Sequence, residues 1–391
     1  MGALSEYIAK QLTIDQITAE RKLQLSALSV ARGGRDVLVY AADLTKQGPP
    51  IGIDYSDLAP IADQLANLHG EAIDVILETP GGSGEVAEDI VRLLHNKYEE
   101  VAFIIPGWAK SAGTIMAMAG NEILMGSTSA LGPIDAQQIW QGKQFSADAF
   151  LEGLEKIKKE TDKVGSLNRA YIPILQGISP GEIQTAQNAM KFSEVLVCEW
   201  LTKYKFKNWT LHSDTGQPVT LQQRRGRART IARGLCNHRR WLTHGRSLRI
   251  EDLEGMRLKI TNYDKTPALS DAIARYHALL LMTFQTTLDR NIYKLFETPS
   301  SQVYRQMIAA QSPTTIPPGV QAVKAAFDFR CPSCGTVYKI QANLAAGQPI
   351  EQGSQPFPDD NKFTCSVCGT VTDLAAFRAQ IEAQAGKKVV P

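Results

Sequence analysis

AIDVILETPGGSGEVAEDIVRLLHN, residues 72–96, decides how the chain is read. Ala72 to Glu78 is a short, mostly aliphatic run that ends in Thr-Pro-Gly-Gly. Such a run, closed by Pro and Gly, is the pattern of a buried strand. After Gly84 the period changes: Val86, Ala87, Ile90, Leu93 and Leu94 fall on one face of a helix. A strand that turns through glycines straight into a helix is the first half of a β-α-β crossover.

The unit repeats downstream. EVAFIIP (100–106) is a second strand, SAGTIMAMAGN (111–121) a helix and EILMG (122–126) a third strand. This alternation predicts an α/β fold with a parallel sheet and right-handed crossovers. The window 101–126 is apolar enough to resemble a membrane span, but Pro106, Gly107, Lys110 and Asn121 interrupt it. Upstream, residues 1 to about 45 predict an amphipathic helix and the strand DVLVYAA, and residues 56–69 another helix. Downstream, SADAFLEGLEKIKKETDK, the stretch from Ser179 to Tyr204 and residues 266–297 have helical spacing. QSPTTIPPG (311–319) has the composition of a linker. The expected organisation is an N-terminal helix over 1–30, an α/β domain over 31–300, a linker over 301–325 and a small cysteine-containing domain over 326–391.

Composition sets the class. Apolar residues are 43% and charged residues 21% of the 391, a globular balance that excludes a fibrous or disordered chain. The net charge of +2 favours no class of partner. MGALSEYIAKQLTIDQ lacks the apolar core of a secretory signal, and Glu6 stands where myristoylation needs Ser or Thr. Two Cys-x-x-Cys pairs without a signal favour metal over disulfides. These features together predict a cytoplasmic protein without a membrane span.

Ser111 is the chemically suggestive residue. At the first turn of a helix, free backbone N–H groups stabilise negative charge, and the N–H of Ala112 lies next to the serine. A hydroxyl that attacks a carbonyl there needs a second oxyanion donor. Gly81 and Gly82 end the preceding strand, and glycine lets a backbone N–H approach a substrate closely. Equally, Ser111 has the residue type of a helix N-cap and Pro-Gly-Gly that of a tight turn.

ETPGGSGEVAEDI, followed by AKSAGTIMAMAGNEILMGSTSALGPIDAQ, resembles the Clp-protease/crotonase superfamily. More closely it is similar to the serine dehydrogenase proteinase family, relatives of signal peptide peptidase A and the NfeD-type membrane proteases. The resemblance covers roughly residues 30–265, with its specific motifs at 78–137 and around RWLTHGRSL. It implies stacked ββα units, a Ser111 nucleophile, an oxyanion donor from the Pro-Gly-Gly loop, a polypeptide substrate and assembly as trimers or hexamers.

The superfamily takes the serine proton in two ways, by a Ser-His-Asp triad or a Ser-Lys dyad. In the Clp-like pattern the His falls about where this chain has Asp135, and the Asp falls in a region that here carries His244. A Ser111–His244–Asp135 constellation follows if the side chains meet, because triads are defined by geometry and not by chain order. The dyad needs a lysine from the helix after Asp135, where Lys143, Lys156, Lys158 and Lys159 are available. Lys158 shares the apolar stripe of Ala147, Phe150, Leu151 and Leu154, which points it inward; a desolvated lysine has the lowered pKa of a base. In the NfeD-type pattern the lysine lies near the helix start, where SADAF has none. Lys110 is expected to be solvated, since neighbouring helix positions do not share a face.

Cys331 and Cys334, with Cys365 and Cys368, form two Cys-x-x-Cys-Gly knuckles, the pattern of a zinc ribbon. Four thiolates close the coordination sphere of one Zn²⁺, so the metal is expected to be structural. A ribbon can also carry a protein partner. Cys198 and Cys236 read as buried helix residues. Seven arginines between Arg224 and Arg240 read as a solvated helix whose Ile231 and Leu235 face the core. Nucleic acid is accordingly not an expected partner. The expected function is a serine endopeptidase; a Clp-like scaffold using the ribbon and arginine surface, and a crotonase-like acyl-CoA enzyme, are the readings weighed against it.

Overall fold

The structure is a computed structural model that describes residues 2–46, 48–140, 143–212, 214–286, 291–307 and 323–390. They fall into two compact units, 1–307 and 308–391.

The first unit begins with two helices where the sequence predicts one. α1 (Ala3–Ala9) and α2 (Ile14–Ala31) are separated at Thr13, whose hydroxyl caps α2 while Gln16 reaches back to the Thr13 N–H. This reciprocal capping box starts a new helix. The chain continues through β1 (Asp36–Ala42), α3 (Leu58–Ala66), β2 (Ala72–Glu78), α4 (Gly84–Lys97), β3 (Glu100–Ile105), β4 (Trp108–Ala109), α5 (Ala112–Ala117), β5 (Glu122–Met125) and β6 (Ala130–Leu131). A hairpin of β7 (Gln137–Trp140) and β8 (Lys143–Ser146) leads to α6 (Ala147–Val164), α7 (Ile172–Gln176) and α8 (Pro180–Trp200). Then come α9 (Leu221–Cys236), α10 (His238–Trp241), α11 (Ile250–Gly255), β9 (Thr261–Asn262), α12 (Pro267–Thr286), β10 (Ile292–Glu297) and β11 (Gln302–Gln306).

The main sheet has the order β11-β10-β1-β2-β3-β5-β9. β1, β2, β3, β5 and β9 are parallel, whereas β10 and β11 add antiparallel at one edge. Two expectations need correction here. The helix expected over 266–297 ends at Thr286, and residues 292–297 are the strand that pairs with β1. Apolar spacing carries across that boundary, but pairing with β1 decides the backbone. β11 likewise lies inside the expected linker 301–325, while the Pro-rich stretch 311–319 lies outside the described residues.

Alternate side chains of the strands enter two cores, as the period of two requires. Leu25 and Leu28 of α2 and Tyr276 and Leu280 of α12 pack on Val37, Val39, Ile76 and Ile104. Ile61, Ile90, Leu94 and Met116 pack on Leu38, Val75, Phe103 and Ile105 from the other face.

Above the ends of the parallel strands the chain pairs a second time. Thr79 bridges Ala109, β4 pairs with β6, Leu131 bridges Leu248, and Ile53 bridges Gly82. Each of β2, β3 and β5 is thus followed by a short rung in a second layer, and the loops that leave these rungs carry the candidate residues.

Lys294 supports this layer from below. Its ammonium donates to both Asp57 oxygens at 2.9 Å, to Asp54 at 3.0 Å and to the Gly52 carbonyl at 2.5 Å. Tyr40 adds a hydrogen bond to Asp57 at 2.6 Å. Both Lys294 and Asp57 are out of solvent.

The second unit pairs β12 (Lys324–Arg330) with β13 (Val337–Asn343), which also pairs with β14 (Ser354–Pro356). A second hairpin joins β15 (Lys362–Thr364) to β16 (Val371–Asp373), and α13 (Ala375–Ala385) closes the unit. Phe327, Phe329, Phe357 and Phe363 form its core with Ile340, Leu374 and Ile381.

Replacing Lys294 by Met would leave Asp57 charged and buried. Losing one partner of such a pair costs about 3–5 kcal/mol. Lys294→Met is therefore expected to lower the unfolding midpoint of the intact chain markedly in a denaturant titration; an unchanged midpoint would contradict the assignment.

Candidate active site

Ser111 stands at the N-cap position of α5, yet its hydroxyl caps nothing. Its backbone has φ 50° and ψ −117°, a conformation that L-residues rarely adopt. The reason is local. The chain must pass from β4 into a fully buried helix within two residues, Lys110 and Ser111, and the loop after β2 presses against that corner. A Cβ on Gly81 would lie 2.6 Å from Ser111 Cβ and 2.8 Å from the Lys110 carbonyl. Strain of this kind persists where the surroundings over-determine it, and a half-buried hydroxyl at the mouth of a cavity on a strained strand-to-helix turn has the form of a nucleophile elbow. The helix itself is only six residues long, so its dipole is small and charge at its mouth depends on individual N–H groups.

Three amides were candidates for that task. The Gly81 N–H is occupied, donating to Thr79 Oγ1 at 3.2 Å. Ile53 bonds the Gly81 carbonyl at 2.7 Å and the Ser83 N–H at 2.9 Å, which turns the Gly82 N–H away from that strand. Gly82 has φ 146°, and a Cβ there would lie 2.3 Å from Ile53 N. Ala112 is the first residue of α5, so its N–H has no acceptor within the helix. Gly82, Ser111, Ala112 and Asp135 line one cavity of about 500 Å³, walled on its far side by Phe192 of α8.

Asp135 is nearly inaccessible and accepts from two imidazoles. His244 Nδ1 lies 2.7 Å from one oxygen and His238 Nδ1 2.9 Å from the other. Burial by itself would raise the Asp135 carboxyl; His244 and then His238 outweigh it and hold the group below its ordinary range. An ionised Asp135 fixes both rings with hydrogen on Nδ1 and leaves each Nε2 free to accept a proton. Among the described residues, Ser111 Oγ is hydrogen-bonded to neither ring.

Lys110 is not solvated, contrary to expectation. Its side chain folds over Gly132, and its ammonium donates to the carbonyls of Leu131 at 3.2 Å and Arg246 at 3.0 Å and to Ser247 Oγ at 3.0 Å. The residue before Ser111 thus ties down the loop that carries His244. Burial, and behind it the charge of Arg249, lowers the Lys110 ammonium to about 8.

The dyad lysines stand elsewhere. Lys158 is exposed, because α6 buries only Ala147 and the stripe that was to carry the lysine inward meets solvent. Lys143 is exposed too, and Lys156 and Lys159 pair with Glu152 and Glu155 at the surface. Sequence reasoning missed His238 altogether; CNHRRW gives no sign that its histidine turns back to Asp135.

In the C-terminal unit the sulfurs of Cys331, Cys334, Cys365 and Cys368 all lie within 4.8 Å of one another. The Cys331–Cys368 and Cys334–Cys365 distances are 3.6 Å. Sulfurs at ~2.3 Å from a tetrahedral zinc stand about 3.8 Å apart, so the cluster fits that metal. Gly335 and Gly369, at φ 75° and 72°, make the turns that close the two knuckles. Cys236 is buried as expected and its thiol is pushed up to about 12, whereas Cys198 is half-exposed.

Residues 58–190 match the ClpP-like SDH-type serine proteinase family. The segment runs from α3 into α8 and contains Gly81, Gly82, Ser111 and Asp135, but neither imidazole nor any of the four zinc-type cysteines. Two proteins of Methanocaldococcus jannaschii, Uncharacterized protein MJ1495 and Uncharacterized protein MJ0137, are similar to part of the chain. The first is 36% identical over 93 residues, 23% of this chain and 30% of the relative. The second is 33% identical over 116 residues, 30% of this chain and 37% of the relative. The chain thus spans about a third of the length of the curated relatives it matches. A solved structure, a serine-to-alanine mutant of the 1510-N membrane-bound stomatin-specific protease, aligns with a TM-score of 0.33 at 17% identity over 56% of this chain and 79% of that one. At that distance it bears on neither the site nor the substrate. No described helix is long and apolar enough to cross a membrane.

Glycine, which has no Cβ to clash in this conformation, should relieve the strain at Ser111. Ser111→Gly is expected to raise the unfolding midpoint, by an amount corresponding to about 1–2 kcal/mol; a lower midpoint in thermal denaturation would mean that no strain is stored there.

Proposed function

We propose that the chain is a serine endopeptidase in which Ser111 attacks the peptide carbonyl. The observation that carries this is the uncapped hydroxyl in a strained turn, in one cavity with the free amides of Gly82 and Ala112. The attack puts negative charge on the carbonyl oxygen, and these two N–H groups supply the oxyanion donors. Of the two imidazoles, His244 is the better base, because Lys110 holds its loop against the residue preceding the nucleophile. Its Nε2 takes the Ser111 proton and returns it to the leaving amine, while Asp135 keeps the ring oriented and offsets the imidazolium charge. Apo geometry is commonly looser than that of a substrate complex, and closure of the Ser111–His244 gap belongs to substrate binding.

Family membership of residues 58–190 supports a polypeptide substrate, and we assign a trimer or hexamer on the same ground. A ring of that kind would admit unfolded chains. The four cysteines would hold one structural Zn²⁺, with no open position for chemistry, and that unit could carry a protein partner. A cytoplasmic site of action agrees with reduced cysteines.

Labelling with a fluorophosphonate tests the nucleophile. Wild type should label and Ser111→Ala should not; His244→Gln should slow labelling by about 10²–10⁴-fold, and His238→Gln far less. If Ser111→Ala labels as well as wild type, the peptidase reading fails. The pH profile tests Lys110. Above about 8 its ammonium loses a proton, and the neutral amine has too few N–H groups to hold the loop. Labelling should therefore decline through that range in wild type, and Lys110→Met should be slower without that decline. A wild-type profile flat up to pH 10 would remove Lys110 from the mechanism.

The metal has its own readout. Elemental analysis of protein purified without added metal should give about one zinc per chain. Cys331→Ser with Cys334→Ser should lose it and unfold the C-terminal unit, seen as proteolysis after residue 307, while Ser111-dependent labelling persists.

A further inference from the structure

A second cavity, of about 610 Å³, lies between α9, the turn after α11 and the segment around Trp209. Its lining includes Arg227, Arg240 and Arg257 and contains no carboxylate. Among the described residues none of these three guanidiniums has an ion-pair partner, although Arg233 and Arg239 of the same stretch pair with Glu194 and Glu152. The arginine stretch is therefore not uniformly a solvated face. Its apolar side, Ala228, Ile231, Ala232 and Leu235, is buried as expected, but Arg227 is half-buried as well. Burial, and then the like charge of Arg257, holds the Arg227 guanidinium below its ordinary range. Arg240 and Arg257 are exposed beside it, so three guanidiniums without a paired carboxylate line one open pocket, a lining that favours an anion.

The backbone around them is also arranged at some cost. Arg257 has φ 62° just after α11, with its N–H on the Glu254 carbonyl and the Leu258 N–H on the Leu253 carbonyl. That is the Schellman closure, whose left-handed position glycine usually fills. Here an arginine fills it and brings its side chain to the cavity. Gly226 shows the converse. It lies inside α9, where glycine is a poor helix former, yet a Cβ there would meet nothing within 4 Å. No packing requires that glycine; it borders the open space of the cavity.

One wall is aromatic. Trp209 is half-buried, with Arg227 6.0 Å from its ring centroid and His212 edge-on at 5.5 Å. A cavity of this size, lined by three guanidiniums and by an indole that Arg227 partly covers, suits a flat ring joined to several phosphates.

We propose that this cavity binds a nucleoside polyphosphate, its phosphates held by Arg227, Arg240 and Arg257 and its base laid against Trp209. The site is separate from the Ser111 cavity and stands whether or not Ser111 is a nucleophile.

Calorimetric titration of the full chain with ATP, against inorganic tripolyphosphate, tests it. ATP should bind saturably, with tripolyphosphate at least about tenfold weaker. Two variants should keep the fold: Arg257→Gly restores the residue that the turn favours, and Gly226→Leu puts a good helix former into open space. Both should melt no lower than wild type and bind ATP at least about tenfold more weakly. Absence of saturable ATP binding would overturn the proposal, as would wild-type affinity in both variants. Equal affinity for tripolyphosphate would remove the base-binding half. An RNA oligonucleotide that binds far more tightly than ATP would make the surface a nucleic-acid site instead.

Discussion

Gly81 and Ser111 come so close that no side chain fits between them, and the geometry of the candidate site follows from that contact. The loop after β2 and the turn after β4 fix one another: the turn forces Ser111 out of the ordinary backbone regions, and the loop leaves it nowhere to relax. On its other side the loop is pinned by Ile53, whose amide and carbonyl bracket Gly82. A substitution at either glycine would need backbone, not merely a side-chain tip, to move. The amides of Gly82 and Ala112 are therefore held in place by the fold itself, as the proposed oxyanion role would require.

Buried charge serves as the fastener of this layer. Lys294 reaches from β10 to Asp57, Asp54 and the Gly52 carbonyl, one residue before Ile53. Lys110 reaches from the elbow to the loop of Arg246 and Ser247. Neither lysine is cheap to desolvate, and an aliphatic residue of similar size would often be at least as stabilising. What the ammonium adds is direction: Lys294 satisfies the Gly52 carbonyl and Lys110 that of Arg246, neither of which a sheet ladder reaches. The same logic operates on the far side of the sheet, where Arg21 pairs with Glu297 and Tyr276 closes the network.

The parallel sheet was legible because its signals are local. The runs at 72–78 and 100–105 end in Pro or Gly, and the helix at 84–97 has one apolar face. The cysteine knuckles were legible for the same reason, each carrying its own turn glycine. What sequence could not supply was the partner in space. β10 has no pattern that separates it from α12 and becomes a strand only because β1 offers an edge. Lys158 has the spacing of an inward residue on a helix that buries almost nothing. Lys110, judged from its neighbours on a helix, in fact precedes that helix and folds across Gly132. The pairing of Asp135 with His244 was reachable only as an exchange of types between two motifs, and His238 was not reachable at all.

Asp135 poses the sharpest chemical question, since one carboxylate orients two imidazoles. Each ring offers its Nδ1–H to a different oxygen, so neither displaces the other, and both present a free Nε2. The distinction between them lies in what holds the rest of each residue. His238 opens the short helix α10, and its backbone N–H donates to Asp148 of α6 at 3.3 Å. His244 lies in a loop whose next residues are gripped by the lysine adjacent to Ser111. The His244 loop is tied by Lys110 to the residue before Ser111, and the proposal of His244 as the base rests on that shared support. The second imidazole then has a plain electrostatic effect: by donating to the other oxygen it helps keep Asp135 ionised, and an ionised Asp135 is what holds His244 in the tautomer that a base requires.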